Sequence, residues 1–406
     1  MVRAMRVILN GLSTLRQKSG IGHYIDSLHA CFRSLSAPDE VFLFPGAAAS
    51  RMAKPFGRFV RGGGRGEGAR RSILSPRRWL GDSVQLALRM AKSGSKKLFR
   101  LASRRFDLYH EPNYIPVPTD LPTVVTVHDL SVLMHPEWHP VDRVRSFEAA
   151  FSSGLERCHH VITDSQAIRR EIIDVLGIAP DRVTAVPLGM RSVFRPMREE
   201  TVASMLAPMK LKPGYLLHVG TIEPRKNLLM LMQAYADLPS GLRDRHPLIL
   251  IGGWGWRTDK IRDFYESVGR RAGVRHIGYA PEECLPALYN GARALVFPSH
   301  YEGFGFPPLE MLACGGAVLA SNVAAVKEIM PVGTKLLPTD DLAAWRDAMS
   351  HALRDDDFYT RLRRGGPAHA GQFQWDECAR LTWDIYKRVL NEKTPVELVI
   401  HRRAAA

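Results

Sequence analysis

The sequence predicts an α/β protein made of two doubly wound parallel sheets, and three observations lead there. Short, continuously apolar runs recur along the chain with stretches of helical spacing between them. Strands buried on both faces need that apolar continuity, and helices covering the faces are what join parallel strands. The length, 406 residues, exceeds what one core of ordinary size buries and argues for two domains. Finally, "RPMREETVASMLAPMKLKP" at 195–213 carries prolines at 196, 208 and 213, has no strand pattern and divides the runs into two sets.

In order, the first set is "RVILN" (6–10), "VVTVH" (124–128), "HVITD" (160–164) and "VTAVP" (183–187). The second is "YLLHVG" (215–220), "LILIGG" (248–253), "RHIGY" (275–279), "ALVFP" (294–298) and "AVLAS" (317–321). The expected division is a first domain over 1–200, a second over 201–375 and a terminal segment over 376–406. A last helix over 375–393 puts Trp375, Ala379, Thr382, Tyr386 and Val389 on one face, the pattern of a helix packed on a domain. Ligands of such sheets bind beyond the carboxyl ends of the strands, which directs the search for chemistry to the loops there.

Composition narrows the class. Five scattered cysteines without a CxxC pair argue against a disulfide framework or zinc site and fit a reducing cytoplasm. The start lacks a secretory apolar region, and no run approaches the ~18 apolar residues that would span a bilayer. A soluble or peripheral protein is expected. The basic charge is concentrated: residues 51–105 hold sixteen Lys or Arg against Glu67 and Asp82, so this segment accounts for nearly all of the chain's net +15.

Four stretches place polar residues where strands end. In "EGFGFPPLE" (302–310) Pro307 and Pro308 suit the first turn of a helix, which would run "PLEMLAC" and stop at Gly315 and Gly316. Glu310 falls inside that helix and Glu302 in the loop before it. Gly303 and Gly305 let the backbone come close to a ligand, and the helix N-terminus suits a phosphate. For either glutamate alone, a dipole partner or a solvated side chain is the simpler account; the whole nonapeptide points to a ligand. In "HVGTIEPRKN" (218–227) a strand ends at Gly220, and the loop carries Arg225 and Lys226. A guanidinium that clamps two oxygens beside an ammonium point charge suits a diphosphate. The plainer alternative is a basic loop with Asn227 as N-cap. In "TVVTVHDLSVLMHPEWHP" (123–140), His128 and Asp129 end a buried strand, which fits a cleft-facing histidine or a structural one. His135, Glu137 and His139 match no HExxH spacing. "KSGIGHY" (18–24) is a glycine-rich turn, weak evidence by itself.

Taken together, "EGFGFPPLE", "GTIEPRKN", "VHDLSVLMHPE", "SGIG" and "VPLGM" (186–190) resemble glycosyltransferase family 4, retaining enzymes of the GT-B fold, over both halves of the chain. The flavour is most similar to bacterial mannosyltransferases of surface-polysaccharide assembly. The resemblance implies two Rossmann-like domains facing across a cleft, the first for the acceptor and the second for a nucleotide-sugar donor. It also implies a closing helix that crosses back to the first domain. Glu302 would touch donor sugar hydroxyls with the backbone of Gly303, Phe304 and Gly305. Glu310 would accept ribose hydroxyls, and Arg225 and Lys226 would neutralise the diphosphate above Gly220. His128 would sit beside the anomeric region, and Gly20 and Gly22 near the phosphate and acceptor. No metal or other cofactor is implied, and "DDD" (355–357) reads as solvated surface rather than a DxD site. The implied activity is transfer of a hexose, mannose from GDP-mannose foremost, to a lipid-linked or growing glycan. The alternatives are a UDP- or other NDP-sugar donor, or a non-catalytic nucleotide-sugar or polyanion binder on the same fold.

The basic segment reads as a membrane-surface element with Leu80, Val84, Leu88 and Ala91 at helical spacing and Trp79, Leu98 and Phe99 as anchors. A solvated basic loop with one packed helix is the alternative. Nucleic acid is not an expected partner, since no binding module and few interleaved aromatics accompany the charge. The expected location is cytoplasmic, peripheral on the inner face of the cytoplasmic membrane.

Overall fold

The structure is a computed structural model, and it describes residues 5–15, 20–35, 40–44, 99 and 101–392. Most of the basic segment, with Trp79, Leu80, Val84, Leu88, Ala91 and Leu98, therefore lies outside the described residues.

Eleven strands are described. They are β1 (Arg6–Asn10), β2 (Glu40–Phe44), β3 (Leu108–Glu111), β4 (Thr123–Val127), β5 (His160–Thr163), β6 (Val183–Ala185), β7 (Tyr215–Val219), β8 (Leu248–Ile251), β9 (Val274–Gly278), β10 (Ala292–Phe297) and β11 (Ala317–Ala320). Nine of them fall on the runs picked out by apolar continuity; β2 and β3 do not. One sheet runs in the order β2-β1-β3-β4-β5-β6 and the other in the order β11-β10-β7-β8-β9. The paired strands β1–β2, β1–β3 and β3–β4 in the first, and all neighbours in the second, are parallel. The parallel α/β class predicted from the sequence is what the chain adopts.

By its contacts the chain divides into two compact units. The first holds the described residues within 1–126, 151–161 and 379–392; the second holds those within 127–150 and 162–378. In the second unit the sheet is buried by helices: Leu216, Leu250 and Val296 are all but fully buried, and Trp345 and Met349 from the helix Leu342–Arg354 close over them.

In the first unit Ile8, Phe99 and Tyr109 form a small apolar cluster with Phe44 and Phe106 packed against it. Phe99 is 1% exposed and its ring lies 4.7 Å from that of Tyr109 and 5.3 Å from that of Phe44. It is a core residue and corrects the expectation of an interfacial anchor. The helix Trp375–Glu392 buries the expected face, with Trp375, Ala379, Thr382, Tyr386 and Val389 all buried. Within the first unit Tyr386 hydrogen-bonds His110 at 2.6 Å, and the other ring nitrogen of His110 meets Thr126 at 2.8 Å. Among the described residues no helix is long and apolar enough to cross a membrane.

Candidate functional site

The second sheet has a reversal built into its strand order. From β7 the chain adds β8 and β9 on one side, then returns to place β10 on the other side of β7. A crevice opens beyond the carboxyl ends at such a switch point, and ligands of open α/β sheets bind there. The loops that leave β7 and β10 supply its residues.

After β7 comes a tight turn, Pro224–Lys226; after β10 comes the loop that ends at Gly305. Lys226 Nζ donates to Glu302 Oε1 at 2.5 Å and an Arg225 guanidinium nitrogen donates to Glu302 Oε2 at 2.7 Å. The same carboxylate thus bridges both cations across the β7/β10 gap. Arg225 also donates to Glu223 Oε1 and to the Tyr301 carbonyl, at 3.1 and 3.0 Å. All four ionised groups are largely buried, with side-chain exposures of 16% or less. Burial would push the Glu302 carboxyl up, but Arg225 and then Lys226 outweigh it and hold it at about 2. Burial, reinforced by the neighbouring Arg225 charge, pushes the Lys226 ammonium below the ordinary lysine range. A cation held under that strain gains from any additional anion, and a diphosphate is the anion with two facing oxygens to offer both donors.

Asn227 stands at the N-cap of the helix Leu228–Ala236 that follows, but its side chain makes no capping bond. Its side chain donates instead to the carbonyls of Pro298 and Thr339, and its backbone is left-handed at φ 55°. The loop is therefore tied to the β10 side, not an ordinary capped helix start.

The glycines of "EGFGF" also have structural work. A Cβ on Gly303 would lie 1.8 Å from the backbone oxygen of His128, so its missing side chain admits a protein carbonyl. Gly305, at φ 110°, forms the left-handed entry to the helix Phe306–Ala313, with Pro307 and Pro308 in its first turn. The Phe304 ring packs into the core against Phe306 and Phe373, which leaves its backbone for any ligand. At the end of β7 Gly220 brings its carbonyl so near Gly252 that a Cβ there would sit 1.9 Å away.

His128 follows β4 directly and reaches this loop within the second unit. Its Nδ1 lies 2.7 Å from Asp164 Oδ2, and burial raises the Asp164 carboxyl while His128 opposes the shift. Ser165 Oγ donates to the Gly303 carbonyl at 2.8 Å, and the Leu130 amide donates to the Tyr301 hydroxyl at 3.0 Å. Residues 128–130 and 164–165 thus clamp residues 301–303. Asp164 was missed in the sequence, although "HVITD" ends in an acid just as "VVTVH" ends in His128.

Glu310 is buried in the helix and accepts from the Tyr289 hydroxyl at 2.6 Å, with Arg191 3.6 Å from its other oxygen. Burial raises this carboxyl, and Tyr289 and Arg191 pull the other way. Arg191 pairs also with Glu282; neither it nor Tyr289 had any signal in the sequence. Gly20 and Gly22 open the helix Gly20–Leu35 of the first unit, whereas the cluster above belongs wholly to the second. Asp355 caps the helix Asp356–Arg363 and Asp356 pairs with Arg293 at the surface.

Two family models match the chain. The model "Glycosyltransferase Family 4" matches residues 20–191 and "Glycosyl transferases group 1" matches residues 207–369. O-antigen chain mannosyltransferase B of Escherichia coli is 38% identical over 282 residues, which is 69% of this chain and 74% of that protein. Serotype-specific mannosyltransferase WbdA of Escherichia coli is 32% identical over 290 residues, 69% of this chain but 36% of that longer protein. Among solved structures, sucrose-phosphate synthase from Thermosynechococcus elongatus superposes with a TM-score of 0.68 at 19% identity, over 96% of this chain and 100% of that one. At that identity the likeness speaks to the fold, which is GT-B.

Proposed function

This chain belongs to glycosyltransferase family 4 and is a sugar-transferring enzyme, and on that premise we propose that it moves mannose from GDP-mannose onto a growing cell-surface glycan. The observation that carries the proposal is the carboxylate bridge of Glu302 to Lys226 and Arg225 at the β7/β10 switch point. Departure of a nucleoside diphosphate builds about two negative charges, and preorganised cations in a dry crevice stabilise them best. Arg225 and Lys226 supply that charge, so the reading invokes no metal or other cofactor. Glu302, already aligned by the two cations, is placed to accept hydrogen bonds from donor sugar hydroxyls. Glu310 takes the ribose, with Tyr289 fixing one of its oxygens. His128, held by Asp164, lies beside the loop that carries Glu302. Attack on the same face as departure, without a covalent intermediate, accounts for retention. A UDP-sugar donor, or a binder without turnover, is less favoured, because the mannosyltransferase relatives span most of the chain.

The nucleotide is the first thing to test. A ligand that binds only the folded state stabilises it by mass action, about 2.7 kcal/mol at a hundred times its dissociation constant. In a chain with domains of this size that is a shift of several degrees. GDP and GDP-mannose are expected to raise the melting temperature, with UDP, ADP and TDP giving at most a small shift. An equal or larger rise with UDP or UDP-sugars would replace the donor; no rise with any nucleotide would remove the donor site.

The basic residues of 51–105 are proposed to hold the enzyme on anionic lipid at the inner face of the cytoplasmic membrane, where a polyprenyl-diphosphate-linked acceptor would lie. Each Lys or Arg near such a surface contributes on the order of 1 kcal/mol. Pelleting with anionic vesicles but not with neutral ones is the expected result. Equal pelleting with both, or with neither, would refute the attachment.

A further inference from the structure

The side chain of Tyr301, the residue before Glu302, plays no part in holding the donor, yet it is tied to other elements of the second unit. Tyr301 is 8% exposed. Its hydroxyl donates to Glu171 Oε2 and accepts from the Leu130 amide at 3.0 Å. Its backbone carbonyl accepts from an Arg225 guanidinium nitrogen at 3.0 Å, and its ring meets that of His135 edge-on with centroids 5.5 Å apart. An amide can only donate, so the phenol oxygen accepts from Leu130 and its hydrogen goes to the carboxylate. Bonds in such a chain polarise one another, and the one that ends on a carboxylate is of the stronger kind. Burial, then the nearby Asp129 and Glu171 charges, push the phenol far above the ordinary tyrosine range, so it keeps its proton.

Glu171 lies on the helix Gln166–Leu176, whose N-cap is Ser165. Ser165 Oγ donates to the Gly303 carbonyl at 2.8 Å. One helix and its cap therefore pin both the residue before Glu302 and the residue after it, while Leu130 ties the same tyrosine to the loop that carries His128. A short loop held at both flanks by a regular element keeps its side chain within the tolerance that transfer chemistry demands.

We propose that Tyr301 and Glu171 are positioning residues for sugar transfer: the Leu130–Tyr301–Glu171 relay sets where Glu302 stands relative to His128. Neither residue touches substrate; both act through those two. The proposal rests on the reading above that Glu302 and His128 flank the transferred sugar, and it adds the groups that hold them in register. Arg225 is bound to the Tyr301 backbone, which loss of the hydroxyl leaves in place, so the relay governs turnover more than nucleotide binding.

Tyr301→Phe keeps the ring and removes both hydroxyl bonds. A misplacement of about 1 Å costs on the order of 100-fold in rate, so kcat is expected to fall about ten-fold or more, with the GDP dissociation constant within about three-fold of the wild type. Glu171→Ala should also lower kcat, and Glu171→Gln, whose amide oxygen still accepts from the phenol, should recover most of that loss. The two losses share one relay and should not add, so the double variant Tyr301→Phe/Glu171→Ala is expected to be about as fast as Tyr301→Phe alone. Hydrogen exchange of the substrate-free protein reads the relay directly. In Tyr301→Phe the Leu130 amide, followed in peptides covering 128–131, should exchange at least ten-fold faster, while the β8 amides exchange as in the wild type. No rise at 128–131, or a rise that includes β8, would overturn the proposal. So would wild-type kcat in a folded Tyr301→Phe protein, a loss of GDP affinity as large as the loss of kcat, or equal kcat in the two Glu171 variants. If Tyr301→Phe fails to fold, the Glu171 pair decides. If the wild-type protein transferred no sugar, the function proposed above would fall, while exchange at 128–131 would still decide whether the relay holds the His128 loop.

Discussion

Lys226→Ala is expected to lower sugar transfer on the order of 100- to 1000-fold, the loss seen when one preorganised charge-stabilising donor is removed from a dry active site. Arg225 alone would remain to face the leaving diphosphate. The effect should fall on kcat as well as on donor affinity, because the charge grows as the bond to the sugar breaks. The fold should survive the change. Stripping all partners from a buried ion costs about 3–5 kcal/mol, but Glu302 keeps its bond to Arg225, and removing Lys226 also removes a buried cation whose ionised form burial disfavours. Steady-state kinetics with a melting curve on the same preparation separate the two effects. Turnover and nucleotide affinity close to wild type, in a folded variant, would show that the Lys226–Glu302 bridge is structural.

The strands that apolar continuity failed to find show what that criterion measures. β3, "LYHE", is fully buried, yet three of its four residues carry polar groups. Their burial is tolerable because partners meet them: Tyr386 and Thr126 at His110, Asn10 at Glu111. Those partners come from distant parts of the chain, so the strand is invisible without the tertiary structure. β2, "EVFLF", is only partly buried, and its run was too ordinary to stand out. The remaining strands were legible because apolar residues dominate their runs, although some also bury a polar side chain such as Thr126 or His218.

The same reasoning divides the site. Arg225, Lys226 and Glu302 were legible because charge at the end of an apolar strand has no local purpose. Asp164 obeyed that rule and could have been found by it. Arg191 and Tyr289 obey no local rule; they matter because they converge on Glu310, and convergence is a property of the fold.

Gly303→Ala tests that distinction at one atom. The added methyl would stand 1.8 Å from the His128 carbonyl oxygen, and Asp129 Cβ would lie 3.3 Å away. Backbone cannot yield as a flexible side chain does, so the two segments must separate by more than an ångström. Forcing extra volume into a packed interior costs about 1–3 kcal/mol, occasionally more. The greater loss is positional. The loop that shifts carries Glu302, and the segment it presses on carries His128. The Ser165 bond to the Gly303 carbonyl and the Leu130 bond to Tyr301 would be stretched together. A displacement of about 1 Å in a catalytic arrangement lowers rate on the order of 100-fold. Transfer is therefore expected to fall by at least that factor, with a melting temperature several degrees lower. Lys226 and Arg225 stand on a different loop, so the free nucleoside diphosphate should keep most of its affinity. A Gly303→Ala protein with wild-type turnover would mean that His128 and residues 301–303 do not meet in solution, and the site would have to be assembled from other residues.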